Sequence, residues 1–458
     1  MTTTPPVLER RRAGVLLHAR SLPSGRLEDA PRFLDFISAC GFGAWQLLPL
    51  GPSGAGRSPY SLLSAFAGDP DLVPLVQRSE PVSARDLGDF REREADWLPD
   101  FALFCVIRQL LEGQPWWRWP PALRLREPAA LQAIEYEHRL IFNERMREQF
   151  RFQRCWQALR AEAAARDIIL FGDLPMFVMT DSADVWMQPQ AFRLDALCRP
   201  THVAGVPPDA YAEHGQCWDC PVYDWRVMQD DGFRWWQRRL THELRRFDLL
   251  RWDHFRGLAE TWEIPVPAAG GAADPAAGAW RPVPGRTLLE HLSVALGRLP
   301  LVAENLGLIT SEVERLRHDF GLPGMHVLQF AFDGDPDNPH LPGKHEQQGV
   351  AYSGTHDNDT TAGWCRGLDA DTRSRAVAAL GCSAAGLPEA VLRAALESAC
   401  ALAVLPLQDL LGLGSADRLN TPGRAQGQWR WQFRWQQLSA ALTEKWRQAA
   451  RRAGRQAA

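Results

Sequence analysis

The chain contains 458 residues, of which 45% are hydrophobic and 23% are charged, and its formal net charge is only −4. This composition is typical of a soluble globular protein, and the length allows one large elaborated domain or two to three ordinary ones. Because neither sign of charge dominates, the composition does not favour binding to nucleic acid or to an anionic membrane, and a neutral or weakly charged substrate fits better.

Eight short apolar runs follow one another along the chain, and each ends at a polar residue, a glycine or a proline. Their nearly continuous apolar character is typical of buried parallel strands. Amphipathic segments between them predict helices, for example at 30–40, 233–246 and 310–320. The eight runs occupy residues 14–18, 44–49, 168–173, 249–253, 301–304, 326–330, 350–353 and 401–406.

Strands and helices that alternate in this number predict an α/β fold, a (β/α)8 TIM barrel with its functional site at the carboxyl ends of the strands. An open doubly wound sheet is the alternative. No glycine-rich phosphate-binding motif follows the first run, which counts against that alternative.

The spacing between the runs is uneven, which predicts large insertions. We expect a mainly helical insertion at 70–166 and a loop-rich one at 174–231 that forms a lid. The segment 265–285 is rich in alanine, glycine and proline and predicts a flexible loop. Since we find no internal repeat and no linker, we expect one elaborated barrel over 1–458, without a separate C-terminal β domain.

Four of the runs lead into carboxylates, and these are the candidate functional groups. Asp173, Asp253 and Glu304 stand at the ends of runs, and Asp357 follows another shortly after its end. The carboxyl ends of barrel strands meet at one face, so these groups should surround one cavity. Arg251 lies two residues before Asp253, hence on the same side of a strand, where its guanidinium favours the ionised carboxylate. A purely structural ion pair is the alternative.

Three of these carboxylates have complementary predicted roles. An ionised Asp253 can attack a glycosidic carbon, whereas Glu304 follows an apolar run, should have a raised pKa, and can protonate the leaving oxygen. Asp357, next to His356, can hold sugar hydroxyls. A nucleophile with a separate acid/base is the retaining pattern, with the carboxyl groups about 5–5.5 Å apart. The alternatives are a surface-facing strand end for Glu304 and a polar capped turn at 355–360.

Cysteine usage bears on location and on metal binding. Nine cysteines are spread from Cys40 to Cys400 without a regular framework, and no apolar stretch reaches the roughly 18 residues of a membrane span, so we predict a cytoplasmic enzyme. His214, Cys217 and Cys220 have spacings that would allow a zinc site or a dithiol, but no second pair of ligands accompanies them. We therefore expect no metal.

Tryptophan is abundant, with 19 residues that include clusters at 116–119, 235–236 and 429–435. An indole face suits both sugar stacking and core packing. The clusters therefore hint at a carbohydrate ligand without establishing one.

Several longer motifs, in order along the chain, resemble the amylomaltases, the 4-α-glucanotransferases of glycoside hydrolase family 77. The resemblance extends from about residue 14 to residue 431. The motifs include Ser58-Pro59-Tyr60, Gly172-Asp173-Leu174-Pro175, Arg251-Trp252-Asp253-His254-Phe255-Arg256-Gly257, Ala303-Glu304-Asn305-Leu306-Gly307 and Gly354-Thr355-His356-Asp357-Asn358-Asp359-Thr360.

This resemblance implies a retaining transferase that acts on α-1,4-glucans and glucose and needs no organic cofactor or obligatory metal. It implies Asp253 as the nucleophile, Glu304 as the general acid/base and Asp357 as the stabiliser of the transition state. It further implies a subsite for the attacked sugar and a loop on the acceptor side. The matching residues are Tyr60, Asp173, Arg251 and His356 for the subsite, and Gln216 and Trp218 for the loop.

The chain departs from the family pattern at four places. The loop 21–26 after the first strand is shorter, Ala55 and Ala210 stand where aromatic residues are usual, and Asp219-Cys220 replaces Gly-Asn in the lid. Two functional alternatives remain at this point. The first is a retaining α-1,4-glucan hydrolase, because water and a sugar hydroxyl can attack the same ester, and the second is a non-catalytic glucan-binding protein.

Overall fold

The structure is a computed structural model, and it describes residues 5–54, 56–208, 213–267, 271–424 and 426–456. Its centre is an eight-stranded parallel sheet that is nearly closed into a barrel. In chain order the strands are β1 (Arg12–Leu16), β2 (Ala44–Gln46), β3 (Ile169–Leu174), β4 (Leu249–Trp252), β5 (Leu301–Ala303), β6 (Met325–Val327), β7 (Val350–Tyr352) and β8 (Leu402–Pro406). All eight predicted strands are present, and the barrel prediction is confirmed.

Two hydrogen bonds close the gap in the barrel, and a side chain accepts one of them. The ladders connect the strands in the order β6-β7-β8-β1-β2-β3-β4-β5, which leaves β5 and β6 as edges. The Ala303 N–H donates to the carbonyl of Pro323 at 2.8 Å, and the Met325 N–H donates to Oδ1 of Asn305 at 2.8 Å. The Asn305 side chain therefore satisfies an edge donor of β6 where the ladder is missing.

Side chains alternate between two apolar layers along the strands. One layer fills the barrel and includes Phe171, Leu249, Val302 and Tyr352. The other layer packs against the surrounding helices and includes Leu170, Leu250 and Leu301. Because successive side chains point to opposite faces, the residues two positions after the interior ones also point inward, at the carboxyl end of the barrel. This register brings polar groups to the mouth.

The helices pack around the barrel and form much of the first insertion. The predicted helix at 310–320 starts after Thr310, whose side chain makes no capping hydrogen bond. The α-helices are Ala30–Ala39, Leu75–Arg78, Ala84–Arg93, Leu98–Leu110, Pro121–Arg124, Pro128–Glu137, Arg139–Ala165, Ala183–Met187, Trp225–Asp230, Arg234–Arg246, Gly285–Leu296, Ser311–Asp319, Thr361–Gly367, Ala370–Leu380, Leu387–Glu397, Leu407–Leu410 and Ala440–Arg452. Among the described residues, no helix combines the length and apolarity needed to cross a membrane.

A second sheet, which the sequence analysis missed, is built from the segments that follow β3 and β4. Its four antiparallel strands are Gln216–Pro221, His202–Val206, Glu260–Pro265 and Ala279–Pro282, in that spatial order. The prediction of a flexible loop at 265–285 was therefore wrong in part, since Ala279–Pro282 is a strand paired with Glu260–Pro265. Residues 268–270 of that segment lie outside the described residues.

Candidate active site

The predicted charged residues meet at the carboxyl ends of β3, β4 and β5. Asp173 and Arg251 are paired across the β3–β4 ladder, and Arg251 is paired with Val302 across the next. Asp253 and Glu304 each follow the last residue of a strand, and their backbone N–H groups continue the ladder to the carbonyls of Leu174 and Trp252. The inward register of these strands therefore directs all four side chains towards one mouth.

Arg251 is the centre of this group. Its buried guanidinium lies 2.8 and 3.0 Å from the two oxygens of Asp173 and 2.8 Å from Oδ1 of Asp253. Its second terminal nitrogen is 3.9 Å from Oε2 of Glu304. Burial alone would lower the pKa of Arg251, but the carboxylates of Asp173 and Asp253 raise it above its usual value. One permanent cation therefore contacts three acidic side chains.

Glu304 is held by backbone donors. Oε2 accepts from the N–H of His254 at 2.7 Å and Oε1 accepts from the N–H of Leu306 at 3.0 Å. The donor at 254 points inward because His254 has a left-handed backbone with φ of 52°. Burial raises the pKa of Glu304 to about 7; Arg251 opposes this shift and the Asp253 carboxylate adds to it. The raised pKa expected from the sequence is thus present.

Asp357 lies on the other side of the mouth as one half of an ion pair. Its Oδ2 is 3.3 Å from Nε2 of His356, and its Oδ1 accepts from Nδ2 of Asn420 at 2.5 Å. Burial opposes ionisation, but the charge and hydrogen bonds of His356 and Asn420 hold the pKa of Asp357 well below its usual value. Burial would likewise lower the pKa of His356, yet the Asp357 carboxylate raises it. Each member of the pair therefore favours the charged form of the other.

Tyr60 connects the two halves of the site. Its hydroxyl lies 2.6 Å from Oδ2 of Asp173 and 2.8 Å from Nε2 of His356, so it donates to the first and accepts from the second. Burial, reinforced by the Asp173 carboxylate, raises the pKa of Tyr60 well above its usual value, which keeps the hydroxyl protonated. One continuous network thus runs from Asp357 through His356, Tyr60 and Asp173 to Arg251.

Gln216 and Trp218 lie on the edge strand of the antiparallel sheet. Nε1 of Trp218 donates to Oε1 of Gln216 at 2.9 Å. The indole stands edge-on to the ring of His254, with the centroids 4.8 Å apart. Because the backbone of His254 donates to Glu304, this strand contacts the site on the Glu304 side. Asp219 and Cys220 belong to the same strand, whereas Ala55 and Ala210 lie outside the described residues.

The spacing of His214, Cys217 and Cys220 does not produce a metal site. Cys217 is exposed and Cys220 is buried, since positions three apart on a strand face opposite sides. Within the described residues, the group with metal-ligand geometry is Glu314, His318 and Glu346. Arg317 donates to both glutamates at 2.7 and 2.8 Å, so its guanidinium already balances their negative charge.

Sequence reasoning missed three residues that contact the site. Asn420 donates to the Asp357 carboxylate, Arg418 donates to the Asp357 carbonyl at 2.5 Å, and Trp429 packs 6.0 Å from the His356 ring. Only Trp429 carried a signal, as a member of a tryptophan cluster. The other two belong to the loop after β8, where no local pattern marks an amide or a guanidinium as functional.

Asn420→Ala is expected to lower kcat about 10- to 100-fold, because the change removes a donor to an ionised carboxylate. If Asp357 stabilises the reacting sugar, as the family resemblance implies, its contacts should weaken most when charge builds on that sugar, so KM should change little. The measurement is kcat and KM for maltotriose disproportionation, together with the melting temperature. A fall in melting temperature with unchanged kcat per folded molecule would contradict this positioning role.

A parallel barrel with three acidic side chains and an arginine at the carboxyl ends of its strands is the arrangement of a barrel enzyme, and paired carboxyl groups of this kind are typical of enzymes that act on glycosidic bonds. A family model described as 4-alpha-glucanotransferase, glycoside hydrolase family 77, matches residues 15–79 and 74–439. The chain therefore belongs to the 4-α-glucanotransferase family, and it is an enzyme of that activity.

Individual relatives agree with this membership. The 4-alpha-glucanotransferase of Thermus thermophilus is 42% identical, over 94% of this chain and 96% of its own length, and that of Synechocystis is 39% identical, over 95% and 96%. The solved amylomaltase from Streptococcus agalactiae, in complex with acarbose, superposes with a TM-score of 0.93 at 29% identity, over 98% of this chain and 100% of that one.

Proposed function

We propose that this 4-α-glucanotransferase works with retention through a covalent ester, with Asp253 as nucleophile, Glu304 as general acid/base and Asp357 as the group that binds sugar hydroxyls. The observation that carries the proposal is the guanidinium of Arg251, which contacts Asp173, Asp253 and Glu304 at once. Asp253 must be ionised to attack, whereas Glu304 must be protonated to act as the acid, although both contact the same cation. The raised pKa of Glu304 provides this difference.

The first step breaks the bond between the attacked glucose and the next sugar. Glu304 gives its proton to the leaving oxygen, and an Asp253 oxygen attacks the anomeric carbon from the opposite side. The leaving sugar departs with a free 4-hydroxyl, and the donor segment stays bound as an ester. Arg251 keeps its contact with Asp253, so it orients the attacking carboxylate.

The second step runs the same chemistry in reverse. Glu304, now a carboxylate, accepts the proton of an acceptor 4-hydroxyl while that oxygen attacks the anomeric carbon and releases Asp253. Two inversions at one carbon restore the α configuration. During both steps positive charge builds on the sugar ring, and an ionised Asp357 strengthens its hold on the hydroxyls as this occurs.

The proposed substrates are α-1,4-glucans such as maltooligosaccharides, with glycogen or starch as longer donors and glucose as a further acceptor. Tyr60, Asp173, Arg251 and His356 would line the subsite of the attacked glucose. The network that connects them supports this, because it leaves each of these polar groups fixed in place. The Streptococcus agalactiae relative, solved with acarbose, supports a glucan site in this chain.

The proposal extends to the insertion 174–231, which would serve as a lid on the acceptor side. Trp218 and Gln216 stand on its edge strand, beside His254. A lid that excludes water favours a sugar hydroxyl over water as the second nucleophile.

Two further proposals concern the organisation and the location of the protein. We propose that residues 1–458 form one elaborated barrel domain with a mainly helical insertion at 70–166. We also propose that the enzyme is cytoplasmic.

Product analysis on maltotriose tests the proposed activity. We expect a ladder of shorter and longer maltooligosaccharides plus glucose, with the number of reducing ends constant, since each transfer breaks one glycosidic bond and makes another. Chromatography of the products with a reducing-end assay gives both quantities. Reducing ends that rise in step with substrate loss would instead establish a hydrolase.

The pH profile follows from the raised pKa of Glu304. Glu304 must be protonated to act as the acid, and a carboxyl with a pKa of about 7 is protonated below that pH. We therefore expect kcat/KM to fall about tenfold per pH unit above roughly 7, where the proton is lost. Steady-state kinetics between pH 6 and 9 measure this limb, and a profile that stays flat to pH 9 would contradict the assignment.

A further inference from the structure

A cavity of about 310 Å³ adjoins the active site on the side of Tyr60 and His356. Trp429 forms the shared wall: it lines the cavity, and its ring lies 6.1 Å from that of Tyr60 and 6.0 Å from that of His356. The volume is near the lower limit for small-molecule sites, which suits a group the size of one substituted sugar.

The cavity is lined by four arginines and a single aspartate. Arg20 is already paired, with the carboxylate of Asp69 and, at 3.6 Å, with that of Asp71. Arg26, Arg57 and Arg430 line the same cavity and have no carboxylate partner among the described residues. Four guanidinium groups and one carboxylate leave an excess of positive charge at the cavity, so a bound anion would be favourable, most of all at low ionic strength because Arg57 and Arg430 are exposed to solvent.

Arg26 adds a second, independent feature. One of its terminal nitrogens donates to the carbonyl of Ser24 at 3.2 Å, but its Nε is buried and has no hydrogen-bond partner. The buried Nε is closed to solvent, so an anion in the cavity would reach this guanidinium through its second terminal nitrogen, which makes no hydrogen bond to the described residues. Arg26 belongs to the loop 21–26, which is shorter than the pattern of the family that the sequence resembles.

The location of the cavity identifies the part of the substrate that reaches it, and this step rests on the proposed function. Trp218 and His254 mark the acceptor side, next to Glu304, whereas the cavity lies beyond Tyr60, His356 and Trp429. In a retaining transfer the donor segment stays attached to the attacked glucose, away from the acceptor. The cavity therefore faces the donor segment.

We propose that this cavity is a phosphate-binding subsite, which holds either a phosphate monoester on the donor glucan or free inorganic phosphate. Guanidinium groups bind phosphate oxygens through paired, charge-assisted hydrogen bonds. A phosphate monoester carries about −1.5 to −2 charges at neutral pH, which matches several unpaired arginines better than a neutral sugar does. Trp429 supplies an apolar face for the sugar that bears the phosphate.

The first experiment compares phosphorylated and neutral donors of equal length. The donors are maltotriose, maltotetraose and maltopentaose, each with and without a 6-phosphate on its non-reducing glucose. We expect the ratio of kcat/KM, phosphorylated over neutral, to exceed one for at least one length. Arg26→Gln and Arg430→Gln should each lower that ratio about tenfold, the loss expected for one charge-assisted hydrogen bond. Arg85→Gln, on the exposed helix Ala84–Arg93, is the matched control and should leave the ratio unchanged.

The second experiment distinguishes the source of the phosphate group. Isothermal titration with inorganic phosphate at low ionic strength should show binding that both cavity variants weaken and the control variant retains. A preference for phosphorylated donors assigns the subsite to the glucan, and binding of inorganic phosphate without that preference assigns it to the free ion. Absence of both responses, or equal responses in all three variants, would overturn the inference. Neutral maltotriose tests the proposed function separately, because its ladder does not depend on the cavity arginines.

Discussion

Asp253→Asn is expected to abolish turnover, with kcat lower by about 10⁴-fold or more, while the affinity for glucans stays within a few-fold of the native value. The amide has the shape of the carboxylate but cannot form the proposed ester. Arg251 keeps its two hydrogen bonds to Asp173 in this variant, so the mouth of the barrel should retain its shape. Binding and chemistry should therefore separate.

The experiment needs both readouts on the same preparation. Maltotriose disproportionation gives kcat, and isothermal titration with acarbose gives affinity. Asp89→Asn is the matched control, since Asp89 is exposed on the helix Ala84–Arg93, and it should be native in both assays. Near-native turnover by Asp253→Asn would remove the proposed nucleophile, and a parallel loss of affinity would point to a structural ion pair instead.

The barrel could be predicted from sequence because its signal is local. Each strand is a short apolar run bounded by a polar residue, and most strands pair with the strands that precede and follow them in the chain. The eight runs therefore determine the architecture. The inward register then places Asp173, Arg251 and Glu304 together without further information. The ion pair between Arg251 and Asp253, expected from period-two spacing alone, has a nitrogen–oxygen distance of 2.8 Å.

The antiparallel sheet could not be predicted in the same way. In strand Gln216–Pro221 the first four residues alternate partly buried and exposed, and the last two are buried. Its partner, His202–Val206, also pairs with Glu260–Pro265, about 60 residues further along the chain. Much of the stability of such strands comes from contacts with their neighbours in the sheet, which a single segment of sequence does not reveal. The same argument applies to Asn420, which reaches Asp357 from a loop 63 residues further along the chain.

Tryptophan content was a weaker guide than its abundance suggests. Trp116, Trp235 and Trp236 are buried in the core and pack against other aromatic rings. Trp429, from one of the clusters, and Trp218, from none of them, contact site residues. A cluster in the sequence does not separate these cases, since an indole serves core packing and sugar stacking equally well.

The second large effect is expected at Glu304, and alanine is the informative replacement. Both carboxyl oxygens accept hydrogen bonds from backbone N–H groups. In a glutamine one of these oxygens becomes an NH₂ group, so two donors would face each other. Alanine removes the acid without that conflict. For maltotriose, whose leaving group needs a proton, we expect kcat/KM to fall about 10²- to 10⁴-fold.

A substrate that leaves without protonation separates the acid role from a structural one. With α-maltosyl fluoride, fluoride departs unaided, so formation of the ester by Glu304→Ala should be much less impaired than with maltotriose. Added azide should then react with the accumulated ester and release an α-glycosyl azide, because it needs no base. Glu312→Gln, exposed on the helix Ser311–Asp319, is the control variant. Equal losses with both substrates and no azide product would show that Glu304 supports the mouth of the barrel without acting as its acid. The pH dependence gives a second check. Where the azide product forms, the reaction of Glu304→Ala with α-maltosyl fluoride should show no fall of kcat/KM above pH 7, because the group that titrates there has been removed.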